Sequence, residues 1–105
     1  MLRIQQVILR LVASLRPVME AIARHDPDLA RQMLRALTSV PLNVAEGSSS
    51  RGRNRAARYH TASGSMREVG ACIDVAMALE YVAAAPECVG DIALVANTLS
   101  KLARQ

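Results

Sequence analysis

The sequence predicts an all-α protein, an antiparallel four-helix bundle running up-down-up-down, and three observations lead there. Apolar residues recur every three or four positions along nearly the whole chain, the spacing that lines one face of an α-helix. Of the 105 residues 51% are hydrophobic, yet Phe and Trp are absent and Tyr occurs twice. The core is therefore left to Leu, Val, Ile, Met and Ala, a set that favours closely packed helices over strands. Breaks in the pattern are short, and short connections make successive helices antiparallel neighbours. The length suits one domain over residues 1–105.

The first helix is read over 3–24. Ile4, Val7, Leu11, Leu15, Val18 and Ile22 form its stripe, and the stripe keeps its phase through Pro17, which predicts a kink rather than an end. Asp26, Pro27 and Asp28 combine an N-cap, a first-position proline and a negative charge beside a helix N-terminus. They open the second helix, 27–46, whose apolar face is Leu29, Met33, Leu37, Val40 and Val44, with Gly47 closing it. The loop GSSSRG at 47–52 supplies serines able to cap the next helix. Ala62, Met66, Val69, Ile73 and Ala76 mark that third helix over 53–84, roughly 48 Å long. Pro86 starts the fourth, 86–104, with Val89, Ile92, Ala96, Leu99 and Ala103 inward. Leu2, Ala13, Ala93 and Leu94 lie outside these stripes, an apolar excess that self-association would cover.

Charge is unevenly distributed. The net +4 is carried by twelve arginines and Lys101; residues 47–67 hold five cations and no acid, whereas 68–105 hold two cations and five acids. Arg51, Arg53, Arg55 and Arg58 stand where the dipole of the third helix disfavours cations. A phosphate chain running past them accounts for that placement, which predicts backbone-directed binding of RNA or DNA. Tyr59 and His60 are the only stacking groups beside them, so base-specific reading of single strands has little support. The alternative is a solubilising collar on a structural or protein-binding module.

A second periodicity is polar. Gln32, Arg35, Ser39, Asn43 and Glu46 share one face of the second helix, and Thr61, Ser65, Glu68 and Cys72 repeat the spacing on the third, where Gly64 permits close approach. Either this is a solvated flank or it is a hydrogen-bonded network joining the two helices or two subunits.

Catalytic readings are weak. His25 and His60 have no ligand at a metal spacing. The serines at 48–50, 63 and 65 lack a nucleophile turn, and Gly47 with Gly52 makes no phosphate loop. Glu46 and Glu68 as an acid and base would make a small hydrolase or nuclease, but on a helix seam they are better read as partners of Arg35 or of backbone amides. No enzyme activity, metal or cofactor is expected. No apolar run approaches the roughly 18 residues of a membrane span, the basic start Met1 to Val18 lacks a cleavage site, and Cys72 with Cys88 reads as core thiols of a reducing cytoplasm.

The run Leu37 to Gly47, LTSVPLNVAEG, resembles the S-x-P-x-N-x-A-E-G signature of the four-helix bundle family that includes the 23S rRNA intervening-sequence proteins and the Avd accessory proteins of diversity-generating retroelements. Ala62, Gly64, Ser65 and Glu68 match its A-x-G-S-x-x-E segment, and Ala76, Leu79 and Tyr81 agree further along. The resemblance implies a homopentameric ring of four-helix protomers with basic surfaces, a nucleic acid or a reverse transcriptase as partner, and no catalytic residues.

Overall fold

The structure, a computed structural model, describes residues 2–105. It holds α1 (Arg3–His25), α2 (Pro27–Ser48), α3 (Gly52–Ala78) and α4 (Val89–Ala103), and no strand among the described residues. α2 packs on α1 and on α3, α3 packs on α4, and α1 meets α4 more sparsely, in a body of 42 × 23 × 20 Å. No helix among the described residues is long and apolar enough to cross a membrane. Along α2 the residues Gln32, Ser39 and Asn43 meet Glu68, Ser65 and Arg58 of α3, so partner numbers fall on one helix as they rise on the other. Gln5 of α1 likewise donates to the Pro41 carbonyl at 2.8 Å, while residues 16–23 lie beside 27–34.

The start of α2 is built as its sequence dictates. Asp26 Oδ1 accepts from the Leu29 amide at 3.0 Å, with Pro27 in the first helical turn. Both α1 and α2 continue through Pro17 and Pro41. One apolar cluster joins all four helices. In α1 its buried members are Ile8, Leu11, Leu15 and Ile22, with Val7 and Val18 only half-buried at its edge. Val95 is buried in α4 whereas Val89, at its first turn, is exposed.

Three local expectations are corrected. α3 stops at Ala78 rather than near 84, because Glu80 turns left-handed with φ 60°. The Glu80 amide then donates to Met77 O at 3.1 Å and the Tyr81 amide to Ala76 O at 2.8 Å, the paired bonds of a Schellman stop. α4 begins at Val89 rather than Pro86, whose carbonyl instead accepts from the Val89 amide in a turn. No serine caps α3: its N-cap is Arg51 without a side-chain bond, and Ser48, Ser49 and Ser50 turn their hydroxyls back onto the Ala45 and Glu46 carbonyls that end α2.

The segment between α3 and α4 is tied to α1 by Tyr81, whose ring stacks on His25 at 5.1 Å and 5°. A left-handed residue other than glycine costs about 1 kcal/mol or more. Glu80→Gly should therefore raise the unfolding free energy by about 1 kcal/mol, moving the thermal midpoint up by about 4–8 °C for a domain of this size. A midpoint that stays put or falls would show that the Glu80 backbone is not the strained element.

Candidate nucleic-acid interface

The four arginines singled out above are positioned by one tight contact. Tyr59 is fully buried, and its ring lies so near Gly47 that a Cβ there would come within 2.9 Å of Tyr59 Cε1 and 3.3 Å of Arg58 Cβ. Gly47 is buried inside α2, which continues to Ser48. Its role is thus close approach, not the helix stop that the sequence suggested. The contact pins the end of α2 to the start of α3 and so fixes where the basic segment projects. Tyr59 is no free stacking group; Arg55 lies over its ring with the guanidinium carbon 5.3 Å from the centroid, a cation–π pair on a buried base.

All four arginines are exposed. Arg58 reaches α2, donating to Asn43 Oδ1 at 3.3 Å. Arg55 faces the other way, lining a cavity with Leu2, Arg3, Ile4 and Val7 of the α1 start and Thr98 and Leu102 of the α4 end. A second cavity joins Glu46 and Ser50 to Asn54, Arg58 and Thr61. The two cavities place the α1 start and the α4 end beside the α2 end and the α3 start, and within the adjoining residues 2–7, 42–60 and 98–105 Arg3, Lys101 and Arg104 join the four arginines, with Glu46 the one carboxylate side chain. The opposite end, drawn from 20–28 and 74–91, carries seven carboxylates and Arg24, and two of the seven, Glu20 and Asp28, pair with Arg16 and Arg31. Sequence reading missed Arg3, Lys101 and Arg104 because they lie far from the arginine run along the chain and no local pattern links them to it.

The first turn of α3 adds to this. With no side-chain cap at Arg51, the leading amides of the helix have no side-chain partner and point outward with a positive end charge. Phosphate oxygens satisfy such amides, and guanidinium forks bind the same oxygens two at a time.

The polar faces of α2 and α3 meet in part. Ser39 Oγ and Ser65 Oγ share a bond of 2.9 Å, Asn43 Nδ2 donates to Ser39 Oγ at 3.0 Å and to the Ser39 carbonyl at 2.9 Å, and Gln32 reaches Glu68 at 3.4 Å. Ser39, Asn43 and Ser65 are half-buried, so the seam is a network at its centre. Arg35, Glu46 and Thr61 lie outside it, exposed, and Gly64 is exposed with open space beside it. The expected pairing of Glu46 or Glu68 with Arg35 does not form: among the described residues the ion pairs are Arg16–Glu20 and Arg31–Asp28, both within α1 or α2.

Other chemistry does not converge. Glu68 sits beside Gln32, fourteen residues of α2 away from Glu46, which is about 21 Å of helix and far beyond the roughly 5–10 Å that lets two carboxylates share a reaction. Ser63 is buried and donates to the Ala96 carbonyl at 2.8 Å, locking α3 to α4. Burial pushes the Cys72 thiol up, with the Glu68 carboxylate adding to it, and burial likewise raises Cys88; neither favours the reactive thiolate. Among the described residues no three of His, Cys, Asp and Glu gather as metal ligands.

One protein family, described as 23S rRNA-intervening sequence protein, matches residues 2–102 of the chain. No curated protein and no solved structure matches it.

The seam makes a graded demand on its residues. Asn43→Ala removes the bonds to Ser39 and Arg58 and should cost about 1 kcal/mol, while Glu46→Ala, at an exposed position without a side-chain partner, should change stability by less than about 0.5 kcal/mol. Urea unfolding of both variants checks the contrast, and equal losses would place Glu46 inside the network after all.

Proposed function

Because the chain belongs to the 23S rRNA-intervening sequence protein family, we propose that it is a non-enzymatic adaptor that binds RNA or DNA along the phosphate backbone, as a homopentameric ring of antiparallel up-down-up-down bundles. The observation that carries the reading is the basic end: seven cationic side chains against one carboxylate, gathered round the uncapped start of α3. Almost none of that charge is neutralised internally, since only Arg58 and Arg104 of the seven donate side-chain hydrogen bonds, to Asn43 and Ser100. The acidic opposite end turns the molecule into a dipole that presents this end to a polyanion. The partner numbering of α1 with α2 and of α2 with α3 supports the antiparallel order. Unpaired, buried or half-buried thiols at Cys72 and Cys88 suit a reducing cytoplasm.

A ring is supported by the apolar surface that one copy leaves uncovered. Ala13, Ala93 and Leu94 are exposed, and Leu34, Leu42 and Leu94 are 48%, 66% and 63% accessible, all outside the cavity at the basic end. The same leucines favour the rival reading, a protein-binding helical module such as a reverse-transcriptase accessory without nucleic-acid binding of its own. Light scattering at micromolar concentration should give the mass of about five chains, and a clean monomer removes the ring.

The arginines separate the two readings. Replacing Arg51, Arg53, Arg55 and Arg58 together by Ala spares every buried core position, so helical content and oligomer mass should be unchanged. Affinity for a short RNA or DNA at low salt should fall at least about tenfold, with a shallower salt dependence. If wild type and variant bind alike, or neither binds, the basic end is a solubilising collar and the protein-binding module replaces this proposal.

A further inference from the structure

The cavity at the basic end has a chemistry that phosphate binding does not use. Its volume is about 390 Å³, and its walls are Leu2, Ile4, Val7 and Leu102, with Arg3 and Arg55 as the charged members of its lining. That is the small end of the roughly 300–1,000 Å³ range of ligand pockets, enough for one flat group and not for a stack of several. A site meant only for backbone oxygens has no need of an apolar hollow beside its cations.

Arg55 is the second observation. Its guanidinium rests over the Tyr59 ring, and Tyr59 is fixed by full burial and by the contact with Gly47. The guanidinium is thus held beside a rigid ring while the residue as a whole stays exposed and open to a partner on its outer side. Unpaired nucleobases stack on such planes, and the stack is worth most when the plane is already held in place.

We infer that Arg55, held beside Tyr59, and the cavity walled by Leu2, Ile4, Val7 and Leu102 form a slot for one unpaired nucleobase of a single strand, with Arg3 taking the adjoining phosphate. This rests on the nucleic-acid reading above and narrows it. The slot admits a base that has left its stack, so a single strand is favoured over a duplex with the same number of phosphates. It selects for an unpaired base without reading its hydrogen-bonding edge, because the lining is almost wholly apolar.

The test uses the whole chain and a short single-stranded oligonucleotide carrying one 2-aminopurine, beside a duplex of equal phosphate count. Binding to wild type should change the 2-aminopurine emission, and the single strand should bind about tenfold more tightly than the duplex, the worth of one stacked base. Arg55→Lys keeps the charge and removes the plane, so it should abolish both the emission change and the preference while leaving the salt dependence intact. Salt-dependent binding without preference or emission change, or an Arg55→Lys variant equal to wild type, overturns the base slot and leaves the backbone reading standing. No binding of either probe at low salt overturns both.

Discussion

The contact of Gly47 with Tyr59 is the constraint on which the functional end of the molecule depends. A chain without Phe or Trp has few ways to fill the end of a bundle, and here one tyrosine ring does so against a helix with no side chain at the point of contact. Packing of this kind tolerates little: an added methyl must push the ring or the helix aside, at a typical cost of about 1–3 kcal/mol. The hydroxyl of the ring is buried with no hydrogen-bond partner among the protein atoms. Through that ring the position of Arg55 is set by the end of α2, and the entry of α3 is set with it.

Charge separation along the long axis is the second theme. The acidic and basic ends come from segments widely separated in sequence, and between them α2 and α3 are joined by a serine pair and by side-chain amides that meet Glu68 and Arg58, not by ion pairs. Bonds in which no cation meets a carboxylate hold register without cancelling the field of the ends. The two ion pairs present are local, within single helices and exposed, so they contribute little to stability. The fold therefore gains little from its charges and leaves them available to a partner.

Much of this was legible in the sequence, for reasons that differ by element. The α2 start was readable because Asp26 and Pro27 act locally, through one side chain and one ring. The core of α3 was readable because Ala62, Met66, Val69, Ile73 and Ala76 repeat with the helix period, and all are buried. The end of α3 was not, since Glu80 occupies a conformation that sequence logic reserves for glycine, and tertiary packing of Tyr81 on His25 accompanies it. The serine loop misled for a related reason: hydroxyls that can cap the next helix can also bond backward to the previous one, and here they do. For the candidate site, the four arginines were visible as a local run, whereas the cavity beside them is made by three helices and has no local signature.

The two tyrosines stand at opposite ends of the bundle, Tyr59 beneath Arg55 and Tyr81 against His25, and no tryptophan is present to drown their emission. The ultraviolet fluorescence of the chain is consequently that of two tyrosines in different surroundings, one beside a guanidinium and one against an imidazole. A perturbation confined to the basic end reaches Tyr59 and not Tyr81. The molecule carries its own optical reporters, placed by the same packing that shapes its two poles.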